Sequence, residues 1–392
     1  MQNKKSLAGL LLLRKIVAIF FDFFLNIYLF RLTNGNFNFI LLYAAVNAIL
    51  GCVYGFFLMK GINSKNANFI FKLSYVCEIV GILMLLLLKE NLLSAVWIFA
   101  AISRFAKSSF YAVYETTLIS STKKDSLSSY VAGAAILENI IALPAPAIMG
   151  FLIDDVSYSI VFVIILIDAL ISIFIVSRMN FKVINDNFSI LGYWKKASRK
   201  KRIRQAYLVM FLKRLSGDDG VLSQLLPILL FLTLGTEFSA GSYDSLFSVI
   251  YIIMLEIVRI FNKKGAKKRF YVPLALFCLI SAITMVSSPS VATVLLFYFA
   301  MKTGGHLNGA ETASMIYAIG KKEKLSSYTR EHQFTWNIFL TLGHLAGIGI
   351  AFVVYNNFYN KDIFAAIIVV LMIFFVLHSA LLQKIEVTLK NK

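Results

Sequence analysis

Lys123-Lys124-Asp125-Ser126-Leu127-Ser128-Ser129-Tyr130 returns later in the chain as Lys321-Lys322-Glu323-Lys324-Leu325-Ser326-Ser327-Tyr328. Six of the eight positions are identical, and a seventh keeps its acid. The offset is 198 residues in a chain of 392, so about half the chain separates the copies. A Glu-Thr pair stands upstream of each copy, as Glu115-Thr116 and Glu311-Thr312. A repeat of half the chain predicts two similar folded halves.

Working outward, the halves are strongly apolar. Of the residues, 59% are hydrophobic and 15% charged, and the mean hydropathy is +0.77. Water-soluble domains carry more charge than this. Apolar runs recur along the whole chain at the length of about 20 residues that crosses a bilayer. The first run, near 8–31, holds Arg14, Lys15 and Asp22 and lacks a small-residue cleavage site, so it reads as a retained helix rather than a signal peptide. Twelve spans are predicted, at roughly 8–31, 37–59, 68–88, 92–118, 128–152, 156–178, 206–234, 240–261, 270–288, 290–318, 328–356 and 362–383.

A net charge of +19 excludes nothing by itself, but its placement argues against nucleic acid. The basic residues sit in short loops between apolar runs and fall on alternate loops. One side collects Lys60, Lys65, Lys72, Lys123, Lys124, the run from Lys195 to Arg204, and Lys263 to Arg269. The other has Arg31, Lys89 and Lys361 beside acids such as Asp154, Asp155 and Glu237. The positive-inside rule then puts both termini in the cytoplasm. The abundance of Lys, Asn, Ile and Phe points to a bacterium with an AT-rich genome, and the localisation to its plasma membrane.

The polar stretch near 181–205 divides the chain into 1–180, a basic linker, and 206–392. Within it, Trp194-Lys195-Lys196 predicts a short helix at the inner membrane surface. Both octapeptides fall in cytoplasmic loops six spans apart. An even number of spans preserves direction, so the halves are parallel repeats about an axis along the membrane normal. Cys52, Cys77 and Cys278 all lie inside apolar runs and read as packing residues. No disulfide framework, metal-ligand spacing or phosphate loop appears, so no metal or cofactor is expected.

Six plus six spans, a basic central loop and parallel halves resemble the major facilitator superfamily. That family has a G-x-x-x-D-R-x-G-R-R-like motif after spans 2 and 8. The matching stretches are Asn63-Ser64-Lys65-Asn66 and Asn262-Lys263-Lys264-Gly265-Ala266-Lys267-Lys268-Arg269, with Asn in place of the family's Asp. Span 4 carries Arg104-Phe105-Ala106-Lys107-Ser108, similar to the R-x-x-x-G element. Span 5 carries Ala145-Pro146-Ala147-Ile148-Met149-Gly150, keeping Pro146 and Gly150 of the antiporter branch's G-P-x-x-G-G signature. The resemblance implies an all-α fold of twelve transmembrane helices in two parallel six-helix bundles. It also implies transport by alternating access, with spans 1, 4, 7 and 10 lining a central cavity.

Ionisable residues inside a bilayer are costly and mark functional sites. Asp22 lies midway along span 1 in Phe20-Phe21-Asp22-Phe23-Phe24, and its Phe neighbours predict a desolvated carboxylate that takes up a proton readily. It reads as the proton-coupling group or as an ion-pair partner. Arg104 and Lys107 share a face of span 4, and Lys302 and His306 a face of span 10. They suit an anionic or zwitterionic solute, or internal pairing with Asp22, Asp218 or Asp219. Lys213, Arg214, Asp218 and Asp219, flanked by Gly217 and Gly220, predict a helix break near the start of span 7, either a polar interior site or an interfacial turn. The resemblance implies an inner gate built from Glu115, Glu311, Asn262, Lys263 and Lys264. Glu78, Glu138, Asp168, the Glu256–Arg259 pair and Glu331-His332 are further intramembrane candidates.

The expected function is secondary active transport of a small solute by a monomer in the lipid bilayer. A proton is the expected coupling ion, and the span-5 motif leans the direction to export. Uptake of an anionic or zwitterionic solute and lipid flipping remain open. A multi-span membrane enzyme would need a catalytic constellation that the sequence lacks. In a cysteine-free background, the aligned variants Ser128→Cys and Ser326→Cys are expected to react with an impermeant thiol reagent from the cytoplasmic side alone. Labelling of the two from opposite sides would reject parallel halves.

Overall fold

The computed structural model describes residues 2–121, 140, 143–179, 188–217, 220–263, 271–323, 329–357 and 363–390. Every element among them is helical. The chain runs α1 (Gln2–Ile19), a π-helical turn (Phe20–Phe24), α2 (Leu25–Leu32), α3 (Phe37–Gly61), α4 (Ala67–Leu88), α5 (Leu92–Ser121), α6 (Ala145–Asp155) and α7 (Tyr158–Ser177). It continues with α8 (Ile190–Ala197), α9 (Lys201–Ser216), α10 (Leu222–Leu234), α11 (Glu237–Lys263), α12 (Tyr271–Ser287), α13 (Val291–Lys322), α14 (Thr329–Asn357) and α15 (Ile363–Lys390). A described helix falls in each predicted span. By length and composition alone, five described stretches could cross a membrane, one of them the 48-residue run Ala67–Tyr114 that holds α4 and α5. The first octapeptide and most of the second lie outside the described residues.

The helices gather into two compact units. Unit 1 comprises Met1–Phe188 with Thr236–Ser245, and unit 2 comprises Ser189–Gly235 with Leu246–Lys392. The linker's second half therefore packs with unit 2, and the first turns of α11 pack with unit 1. Helix α9 begins at Lys201, inside the predicted linker, and ends at Ser216, and α10 begins at Leu222.

The interior of unit 1 is aromatic: Phe71, Tyr75 and Phe110 are buried together with Val113 and Tyr114. Outward-facing positions are large and apolar, with Leu87 78%, Phe69 66% and Phe57 64% exposed. That inversion of a soluble protein's surface is what lipid tails solvate. Lipid gives helices little hydrophobic reason to associate, so close backbone packing must hold them. Unit 2 uses small residues for this. Gly343 and Gly347, one turn apart on α14, lie against the backbone carbonyls of Phe211 and Leu215 on α9, where a side chain would hold the helices apart.

The linker helix α8 is fastened to unit 2. Tyr193 contacts the Tyr207 hydroxyl and meets His332 Nδ1 at 2.6 Å, while Tyr207 meets the same nitrogen at 2.8 Å. Trp194 Nε1 donates to Thr335 Oγ1 at 2.8 Å, and Glu331 accepts from the Ser189 amide at 2.7 Å. Burial pushes the Tyr193 phenol up to about 12, opposed by its Tyr207 hydrogen bond and aided by the Glu331 carboxylate. The phenol therefore stays neutral across physiological pH. Glu323, the acid of the second octapeptide, pairs with Lys200 at 3.3 Å and Arg202 at 3.6 Å. Leu191 is 81% exposed on the opposite face of α8, as an interfacial helix requires.

Gly343→Leu is expected to destabilise the purified protein by about 1–3 kcal/mol through overpacking. Gly349, which has open space where a Cβ would stand, is expected to tolerate Ala within about 0.5 kcal/mol. Thermal unfolding in detergent measures both.

Candidate functional site

Helix α1 widens into a π-helical turn at Phe20–Phe24 before continuing as α2. Such turns are rare and cluster at functional sites. Asp22 sits in that turn, and its Oδ1 accepts from Lys107 Nζ of α5 at 2.8 Å. The neighbouring phenylalanines do not enclose the carboxylate as the sequence predicts. Phe20, Phe23 and Phe24 are buried in unit 1, whereas the Asp22 side chain is 58% exposed and that of Lys107 32%. The extra residue of the π turn rotates Asp22 away from the aromatic packing and towards α5. Of the alternative partners read from the sequence, the structure gives Asp22 to Lys107.

Arg104 lies one turn before Lys107, with its guanidinium against Gly51 of α3 and within electrostatic reach of Lys107. Two turns before Asp22, on α1, Arg14 contacts Glu78 of α4, and both side chains are almost fully buried. Arg14 also sits over the Phe110 ring, 5.3 Å from its centroid. Glu78 thus moves from a minor candidate to half of a buried ion pair. Asp168 of α7 is buried as well and feels both Glu78 and Arg14.

A second cluster joins α2, α6, α7 and the first turn of α11 within unit 1. Glu237, 1% exposed, accepts from Arg31 at 2.5 Å and from the Tyr158 hydroxyl at 2.9 Å. The Asp154 carboxylate in turn accepts from the Glu237 amide at 3.3 Å and the Phe238 amide at 2.7 Å. A carboxylate there caps the orphan amides and meets the positive end of the α11 dipole. Below this cluster Gly150 lies against the Glu237 carbonyl, and Gly241 against the Pro146 carbonyl. Ser245 Oγ also accepts from the Ala147 amide at 3.1 Å. The span-5 motif Pro146…Gly150 is therefore one side of a helix seam, and Gly241 is its counterpart.

The other predicted residues divide by where they fall. Lys302 is half-buried on α13 of unit 2. Glu115 is on α5, His306 and Glu311 on α13, and Asn262 and Lys263 at the end of α11, while their side chains lie outside the described residues. So do those of Glu256 and Arg259. Asp218, Asp219, Lys264 and Glu138 lie outside them entirely. In the loop after α3, Asn63 Oδ1 accepts from the amides of Lys65 at 2.9 Å and Asn66 at 3.1 Å. Asn66 Nδ2 donates to the Gly61 carbonyl at 2.8 Å. Asn serves this turn by binding backbone, the usual role of the residue in turns. Among the described residues no group of three or more His, Cys, Asp or Glu side chains could hold a metal ion.

No protein-family model matches the sequence, and no curated protein matches it. Solved structures do match, over the whole length. A nucleoside transporter, NupG, has a TM-score of 0.68 at 14% identity, covering 100% of both chains. The fucose:proton symporter of E. coli has a TM-score of 0.64 at 13% identity, covering 97% of this chain and 98% of that one. A bacterial homologue of the iron transporter ferroportin, solved outward-facing with soaked iron, has a TM-score of 0.64 at 15% identity, covering 98% and 99%.

Removing the Glu237 carboxylate as Glu237→Leu leaves Tyr158 and Arg31 without their acceptor. The expected loss in thermal unfolding is about 1–3 kcal/mol. Tyr158→Phe, which removes one donor and leaves Glu237 paired with Arg31, is expected to cost less than Glu237→Leu.

Proposed function

We propose, from the premise that this all-α, multi-pass membrane chain has the major facilitator fold, that it is a secondary active transporter of a small solute. Two six-helix bundles, 1–180 and 206–392, would rock about a central site, joined by the basic linker 181–205. Both termini would lie in the cytoplasm of a bacterial plasma membrane. A proton is the coupling ion in this reading, and the direction leans to export on the Pro146…Gly150 motif.

The observation that carries the reading is the Lys107–Asp22 pair, exposed on unit 1 at a π-helical turn. A pair sealed in a core would serve packing, whereas an exposed one can exchange partners. Protonation of Asp22 would remove the negative charge that holds Lys107. Lys107, with Arg104 beside it, would then be available to an anionic or zwitterionic solute. Lys302 and His306 are proposed to complete that site from the second bundle, with Asp218 and Asp219 at the span-7 break. Glu115, Glu311, Asn262, Lys263 and Lys264 are proposed as the inner gate. The cluster of Arg31, Asp154, Tyr158 and Glu237 would hold the outer end of the seam between spans 5 and 8, and alternating access requires it to open. Two cations on one face also favour a second reading, uptake of an anionic solute in symport with a proton.

Proteoliposome flux of a solute panel, with and without a pH gradient, tests the proposal. Asp22→Asn is expected to abolish proton-driven accumulation while leaving exchange down the solute's own gradient. Lys107→Met is expected to weaken an anionic solute about tenfold, the equivalent of one charge-assisted hydrogen bond. Undiminished proton-driven accumulation in Asp22→Asn would remove Asp22 from the coupling step.

A further inference from the structure

The charged side chains of unit 1 form a connected line. Lys107 holds Asp22 at 2.8 Å. Asp22 acts electrostatically on Arg14, Arg14 contacts Glu78, and Glu78 acts on Asp168. The signs run plus, minus, plus, minus, and then fail to alternate, because Asp168 repeats the charge of Glu78. Glu78 is 4% exposed, and Arg14 and Asp168 are 7% exposed. Glu78 therefore holds the guanidinium directly, and Asp168, buried on the neighbouring helix, feels both away from water.

Among the described residues, the groups packed around Asp168 do not repair the imbalance. Helix α4 presents Glu78 and Tyr75, and α1 presents Arg14. Helix α6 carries Asp154 and Asp155 at its exposed C-terminal end, and these would only add negative charge. Two like charges that feel each other in a low dielectric resist ionising together beside a single cation.

A second observation points to the same place. The Tyr75 and Ser172 hydroxyls are fully buried and approach each other without closing a hydrogen bond, and among the described residues neither reaches another partner. Tyr75 lies one turn before Glu78 on α4, and Ser172 one turn after Asp168 on α7, so each hydroxyl shares a helix face with one carboxyl. Buried hydroxyls are normally satisfied. A pair left open beside two carboxyls is suited to hydrogen-bond a group that comes and goes.

We propose that Glu78 and Asp168 share one exchangeable proton beside Arg14, with Tyr75 and Ser172 stabilising both its bound and its released state. Uptake converts one carboxylate to a neutral carboxyl, and release returns the proton to water. The line of charges then links this buried proton to the half-buried Lys107. Losing the proton strengthens the hold of the acids on Arg14, and so changes what Arg14 offers Asp22. The link to coupling rests on the transporter reading, whereas proton binding itself does not.

Infrared difference spectroscopy of the full chain in liposomes, recorded across a pH titration without solute, tests the site. The wild type is expected to show a protonated-carboxyl C=O band that disappears reversibly as pH rises. The band is expected to vanish in Asp168→Asn and in Glu78→Gln, and to remain in Asp22→Asn. Tyr75→Phe and Ser172→Ala, which keep the charges and test the site even if the acid variants fail to fold, are expected to shift the band or its pH midpoint. No titrating carboxyl band in the wild type would overturn the proposal. So would a band that survives both acid variants, or one unmoved by both hydroxyl variants. A band that responds to replacing sodium with choline at fixed pH would assign the site to a metal cation and overturn the proton reading. No solute enters this experiment, so its failure is distinct from a failure to find transport.

Discussion

The constraint that shapes unit 1 is that a charge inside a bilayer needs a partner, and the Lys107–Asp22 contact is one answer to it. A bilayer interior cannot stabilise an isolated charge, and each ionic side chain there must find an opposite one or take up a proton. Asp22 can meet α5 because the helix carrying it widens by one residue at Phe20–Phe24. That widening turns the carboxylate out of the aromatic packing and onto Lys107. Two turns back along the same helix, Arg14 is fixed by Glu78. One helix thus carries a cation and an anion, each committed to a different neighbour, and it ties α4 and α5 together electrostatically as well as by packing. Such pairs contribute little net stability once desolvation is counted, but breaking one leaves a bare charge in an apolar medium. They specify arrangement more than they add strength.

Much of this was legible from one sequence, because bilayer physics writes itself locally. Apolar length gives the helices. Asp22, Arg104 and Lys107 stand out as charges in apolar runs, and the sequence offers Lys107 among the cations that could pair with Asp22. The short helix at Trp194 was also legible, from one aromatic residue followed by lysines. What stayed hidden was pairing at long range. Arg14 and Glu78 are 64 positions apart and Arg31 and Glu237 are 206 apart. Nothing local to either member signals the other. The π turn left no mark, and the phenylalanines around Asp22 pointed towards burial that the turn reverses. Tyr193, Tyr207 and His332 likewise meet only through folding, although Glu331-His332 reads from the sequence as an intramembrane candidate.

The small residues supply the other half of the account. Gly343 and Gly347 bring α14 against α9, and Gly150 and Gly241 bring α6 against the start of α11. The first contact lies deep in unit 2. The second is topped by a cluster of charges and hydroxyls around Glu237. A seam of backbone contacts that ends in a polar clasp can hold firmly and still separate, since its polar groups have water as an alternative partner. The repeated octapeptide acquires a physical role from the same kind of contact. Its second copy contributes Glu323, which holds the basic linker through Lys200 and Arg202, so the segment joining the halves is anchored to one of them.

The central claim is that this chain moves a solute by opening and closing the seam between spans 5 and 8. Ala147 and Ser245 face each other across it, with the amide of one 3.1 Å from the hydroxyl of the other. The most direct measurement is solute flux in a cysteine-free Ala147→Cys, Ser245→Cys protein in proteoliposomes, before oxidation, after oxidation and after reduction. The account predicts that flux stops when the disulfide forms and returns when it is reduced. Full flux through the cross-linked protein would contradict it.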